Sequence, residues 1–137
     1  MTILRWLTAL VVGIYGLMNV PPAGGVLLRK LGFDVPEAMR KYNELMDNVS
    51  WPHEALWLLV IVFYVTAAVR LGAAWGGALY FWALAFVGDL VLAAWITRNP
   101  AYAATFAQGE RNSAYIGLAV MAVAGVMVWW LEYRRAT

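Results

Sequence analysis

The sequence predicts an all-α integral membrane protein, a bundle of four transmembrane helices with an amphipathic surface helix between spans one and two. Three observations carry this prediction. Of 137 residues, 64% are apolar or aromatic and 13% are charged, where a water-soluble domain holds about 45–50% and about 25%. Mean hydropathy is +0.67. The apolar residues gather in four long runs, and a hydrocarbon core of about 30 Å takes roughly 17–25 such residues per helix. Only helices and closed barrels satisfy the backbone in lipid, and the runs lack the period-two alternation of barrel strands.

The first span is expected over residues 3–20, with Arg5 near its start. A lone arginine and no small-residue cleavage site lead us to expect that it is retained in the membrane. Pro21-Pro22 and Gly24-Gly25 form a turn cluster expected to stop the helix. Residues 34–48 then change pattern. Val35, Ala38, Met39, Tyr42, Leu45, Met46 and Val49 recur at helical spacing, with Glu37, Arg40, Lys41, Glu44, Asp47 and Asn48 on the other face. Asp34 and Glu37 read as a capping box at the start of this amphipathic helix, which lies on the membrane surface or roofs the bundle mouth.

Span two is expected over residues 54–69, opened by Ser50 as N-cap with Pro52 in the first turn. Gly72 makes a tight connection to span three, residues 73–96, which Asn99-Pro100 closes. Span four covers residues 113–131 without a charge. Gly13, Gly16, Gly76, Gly77, Gly88, Gly117 and Gly125 permit close helix approach. Gly117 and Gly125, eight apart, lie on one face and mark a packing seam.

Eight tryptophans and seven tyrosines stand out. Trp6, Trp51, Trp129, Trp130 and Tyr133 fall at span ends, where amphipathic rings anchor at the headgroups. Trp75 and Trp82, seven apart and leading in another seven to Asp89, are expected on one packing face of span three.

Composition also excludes functions. With no cysteine and one histidine, disulfides, iron–sulfur clusters, thiolate zinc sites and a bis-histidine haem are out of reach, and no metal or cofactor is expected. A net charge of +2, spread along the chain, leaves no basic patch for nucleic acid. No phosphate loop, nucleophile triad or cofactor fingerprint is present.

Asp89 is the most informative residue. It falls four to five residues past the middle of the expected span three, and a carboxylate there costs about 2–3 kcal/mol on insertion scales, so it needs a partner. Its own helix offers Ala85, Phe86, Leu92 and Ala93 at neighbouring positions, so the partner must come from another helix or another chain. Topology brings Tyr15, Asn19, His53, Glu54, Asp89, Arg98, Arg111, Asn112 and Ser113 to one half of the bundle. Of these, Asp89, His53, Glu54, Arg98, Arg111, Asn19 and Asn112 are candidates for ligand or proton binding. Glu54 also suits the helix dipole at the start of span two, and Arg98 and Arg111 can reach headgroups from span ends.

The order Arg5, Gly13, Gly16, a loop, Glu54 opening span two, and a short Arg-Leu-Gly turn into span three loosely resembles the DoxX-type four-span membrane proteins. The long first loop departs from their pattern. The resemblance implies a four-span bundle and carries no activity.

An even span count puts both termini on one side. Arg5, Arg70, Arg134 and Arg135 lie there, against Arg29, Lys30, Arg40, Lys41, Arg98 and Arg111 opposite. The raw count favours termini outside, but four of those six share their loop with Asp34, Glu37, Glu44 and Asp47, and the Arg134-Arg135 pair abuts its span. Cytoplasmic termini, in a bacterial inner membrane, are the expectation. Two functions follow. The first is a non-catalytic subunit or stabilising component of a larger membrane complex. The second is a homo-oligomeric, proton-coupled transporter or ligand-binding bundle centred on Asp89, in which a desolvated carboxylate exchanges a proton for a cation. An intramembrane enzyme using His53 and Glu54 ranks last, because adjacent helical residues point about 100° apart.

Overall fold

The computed structural model describes residues 2–37, 40, 46–98 and 108–136, with the side chains of 108–111, 113, 135 and 136 set aside. Among the described residues, five helices follow in order: α1 Thr2–Met18, α2 Val20–Lys30, α3 Trp51–Gly72, α4 Ala78–Thr97 and α5 Gln108–Ala136. Among the described residues, four segments are long and apolar enough to cross a membrane: Thr2–Lys30, Trp51–Gly72, Ala78–Thr97 and Ala114–Arg134. The protein is an all-α, four-span bundle. Each helix presents large apolar side chains outward, among them Leu10 and Ile14 of α1, Val62 of α3, Val87 of α4 and Val123 of α5. In water such faces would be a liability; in lipid they are the solvated surface.

α3 packs against α1 and α4, and α5 closes the ring between α4 and α1. The core at this junction is Val12, Val60, Tyr64, Ala67, Ala85, Leu92, Met121 and Ala124. Lipid supplies no hydrophobic drive between helices, so close packing at small residues holds them together. A Cβ on Gly16 would stand 2.9 Å from the Tyr64 Cβ, and one on Gly88 would stand 2.7 Å from a Val60 methyl. Both glycines of the expected Gly117–Gly125 seam lie at close helix approaches, one against α1 and the other against α4. Gly117 meets the ring of Tyr15 on α1, and a Cβ on Gly125 would fall 2.0 Å from the Trp82 indole of α4.

Three boundaries differ from expectation. Pro21-Pro22 does not stop the first helix. After a single turn residue at Asn19, both prolines occupy the first turn of α2, where a missing N–H costs least. The ladder resumes as Ala23 N–H donates to the Asn19 carbonyl at 3.1 Å. The helix ends instead at Gly32 (φ 87°), where Phe33 N–H reaches the Leu28 carbonyl at 2.9 Å, a Schellman closure.

α3 runs through Gly72 and closes the same way with Ala74 in the left-handed position (φ 58°), Trp75 N–H donating to the Arg70 carbonyl at 2.8 Å. This turn delays α4 to Ala78, five residues beyond the expected start at 73. Trp75 therefore sits in the turn and is 59% exposed, off the helical face it was expected to share with Trp82. Trp82 does pack as expected, donating its indole N–H to the Met121 carbonyl at 3.2 Å and stacking on Phe86.

The expected amphipathic helix falls partly outside the described residues, at 38–39 and 41–45. Its expected start is not helical. Asp34, Val35 and Pro36 are irregular, a 3₁₀ turn begins at Glu37, and Met46-Asp47 are helical; Pro36 holds its predecessor out of the α region. Val35, Met46 and Val49 are buried with Val26 of α2 and against Trp57, so the segment's apolar residues roof the bundle mouth. Arg29 fastens it from the polar side, donating Nε and Nη2 to the two Asp47 oxygens at 2.7 and 2.6 Å. The Arg29 guanidinium holds the Asp47 carboxyl below the usual carboxylate range. Lys30 lies 5.0 Å from the centre of the Trp51 ring.

A mid-span carboxylate and a polar mouth

Because α4 spans Ala78–Thr97, its midpoint lies between residues 87 and 88. Asp89 is thus about 2 Å from the middle of its helix at a rise of ~1.5 Å per residue, deeper than the expected boundaries placed it. Its partners come from two other helices. Tyr15 of α1 and Tyr64 of α3 both donate their hydroxyls to Asp89 Oδ2, each at 2.9 Å. The two phenol rings meet edge to face at a centroid distance of 5.3 Å. Tyr64 is fully buried. The unit ties three helices at the depth where a carboxylate is most costly to leave alone.

Tyr15 belongs to the half-bundle group that topology assembled. Tyr64 was missed. A sign was available, since a tyrosine in the middle of a span is far from the headgroup level that explains the others. Asn19 is held one turn above Tyr15, donating Nδ2 to the Tyr15 carbonyl at 2.8 Å and accepting the Trp57 indole N–H at 3.2 Å. It pins the α1–α2 junction to α3.

The other candidates form a separate group at the mouth. Ser50 caps α3 by accepting from His53 N–H at 3.3 Å, as the sequence predicts. His53 is buried, with 7% exposure; its ring lies between Trp57 and Trp95 at 6.0 and 5.6 Å, and the residue lines a cavity of about 290 Å³ together with Asn48, Ser50 and Arg98. Its neighbour Glu54 is 1% exposed, and neither carboxylate oxygen has a hydrogen-bond partner among the described residues. Asn112 is exposed, and the side chains of Arg111 and Ser113 lie outside the description. The single polar constellation expected around one mouth is therefore two: a half-buried carboxylate with two phenols near the middle of the bundle, and a histidine–arginine cavity at the mouth. Among the described residues, no three His, Asp or Glu side chains gather as a metal site.

The opposite end holds an arrangement that no motif or spacing announces. Glu132 of α5 accepts the Ala78 N–H at 2.6 Å. It caps α4 from another helix, because Gly77 in the N-cap position has no side chain to do so.

The chain matches no known family model, so its likeness in spacing to the DoxX-type proteins is not accompanied by a family match; no curated protein and no solved structure matches it either.

Proposed function

We propose that this chain is a small, non-catalytic integral membrane component that binds and stabilises a larger membrane complex. The observation that carries the reading is the Tyr15–Asp89–Tyr64 unit. The carboxylate near the middle of α4 holds two hydroxyl donors from two other helices on one oxygen, so it serves as an interhelical clamp. The outward faces are continuous apolar surface available to lipid or to other subunits. Within this reading the chain resides in a bacterial inner membrane with both termini in the cytoplasm.

Gentle extraction from native membranes, followed by mass determination of the particle, tests it. A particle containing unrelated subunits is the expected result. A bare chain or a homo-oligomer would overturn it and favour a second reading, a proton-coupled transporter or ligand-binding bundle. The buried, unpartnered Glu54 beside the His53–Arg98 cavity favours that alternative. Under it, Asp89→Asn abolishes substrate-dependent proton movement in a folded protein.

A further inference from the structure

A cleft lies at the end of the bundle that carries the termini, away from both polar groups described above. It has a volume of about 440 Å³ and is lined by Arg5, Leu71, Ala74, Trp75, Leu131, Glu132 and Arg134. α1 contributes Arg5 from its first turn, the α3–α4 turn contributes Ala74 and Trp75, and α5 contributes Leu131, Glu132 and Arg134 from its last turns.

Its charges do not balance internally. Arg5 Nε is buried and has no hydrogen-bond partner among the described residues. A cation in the first turn of a helix also has the wrong sign for the helix dipole, so Arg5 and the start of α1 reinforce one another's positive potential. Glu132 does not neutralise it fully, since its Oε1 is engaged by the Ala78 N–H at the positive end of α4. Arg134 lies over Trp130 at 5.1 Å and lines the same cleft. Two arginines on one cleft are the chemistry that recognises a phosphate. Beneath them the lining is aliphatic, Leu71, Ala74 and Leu131, while the exposed Trp75 ring stands at the rim where amphipathic rings meet headgroups.

We propose that this cleft binds one anionic phospholipid, its phosphate between Arg5 and Arg134 and the start of an acyl chain along Leu71 and Leu131. A charge-complementary head and an apolar floor at the membrane surface fit an amphiphile better than a free anion.

The test uses the purified, delipidated full-length protein in a neutral detergent, with the thermal unfolding midpoint followed on addition of phosphatidylglycerol, phosphatidylcholine or inorganic phosphate. Phosphatidylglycerol is expected to raise the midpoint and the other two are not. In Arg5→Gln the phosphatidylglycerol concentration giving half the shift should rise about tenfold or more, the loss of a charge-assisted hydrogen bond to phosphate. Arg98→Gln, at the opposite mouth, should respond as the wild type does. Should Arg5→Gln not fold, Arg134→Gln carries the same expectation. An equal response to phosphatidylcholine, an undiminished response in the folded cleft variants, or an equal loss in Arg98→Gln would overturn the site. A shift of the same size with inorganic phosphate alone would replace the lipid with a free anion and overturn the lipid assignment.

Discussion

Asp89 shows how one residue constrains three helices. Each interhelical hydrogen bond in a membrane contributes about 0.6 kcal/mol on average and at most about 1.7, so Tyr15→Phe and Tyr64→Phe should each lower stability by roughly that range. Asp89→Ala removes the acceptor of both phenols and leaves the buried Tyr64 hydroxyl unsatisfied, at about 1–3 kcal/mol, with a smaller loss at the half-buried Tyr15. Asp89→Asn keeps an acceptor oxygen and should lie between. Thermal unfolding in detergent ranks the variants, and an Asp89→Ala protein as stable as the wild type would refute the clamp. The effects of Asp89→Ala and Tyr64→Phe should also combine non-additively, because they remove the same bond.

At the mouth, Asp47 gives a pH dependence. Arg29 donates two hydrogen bonds to its carboxylate and holds it below the usual range. A group whose folded value is depressed contributes stability above its unfolded value and loses it as pH falls through the folded one. Acidification from neutral pH through the carboxylate range should therefore loosen the roof of the mouth. The protection of the Val49 amide, which donates to the Met46 carbonyl, measured against its intrinsic exchange rate at each pH, is expected to fall on acidification. Asp47→Asn should show the reduced protection already at neutral pH and lose that dependence. Both partners are substantially exposed, so added salt should weaken the effect.

At the scale of elements, two positions make opposite predictions from the same kind of measurement. Gly125→Ala drives a methyl into an indole that cannot retreat, because Trp82 is held by the Met121 carbonyl and stacked on Phe86. Overpacking of this kind costs about 1–3 kcal/mol, and it should separate α5 from α4. Ala74→Gly relieves a left-handed conformation (φ 58°) at the end of α3 that costs an L-residue roughly 1–2 kcal/mol. The gain is partly offset by glycine's greater unfolded entropy, so a small net stabilisation is expected. Chemical unfolding of the two variants beside the wild type checks both signs, and a stable Gly125→Ala protein would mean that the seam does not hold the bundle together.

For the whole molecule, the absence of cysteine makes single-cysteine labelling clean. Thr2→Cys and Asp34→Cys stand at opposite ends of the first span and are exposed. In sealed right-side-out vesicles an impermeant maleimide is expected to label Asp34→Cys and spare Thr2→Cys, as cytoplasmic termini require. Val123→Cys, on the outward face of α5, should resist the reagent from both sides. Labelling of Thr2→Cys alone would invert the proposed orientation.

The four spans were readable because lipid allows few solutions: a run of apolar residues long enough to cross it must satisfy its own backbone, and composition alone locates such runs. The Ser50 cap and the Gly117–Gly125 seam were readable for the same local reason, since each depends on spacing within one helix. What spacing could not supply was the depth and partnership of Asp89. Depth turned on five residues of turn before Ala78, set by a Schellman closure on a non-glycine residue, and the partners Tyr15 and Tyr64 stand 74 and 25 residues away in sequence. The prolines misled for a related reason, being disruptive inside a helix and harmless in its first turn, and only the continued ladder through Asn19 decides which case holds. The Glu132 cap on α4 and the buried Arg5 Nε, without a hydrogen-bond partner among the described residues, exist only once α1, α4 and α5 are brought together. Local hydrophobicity determined that this chain spans the membrane four times; the packing of those spans decided which polar groups meet, because burial leaves each of them only the partners that neighbouring helices present.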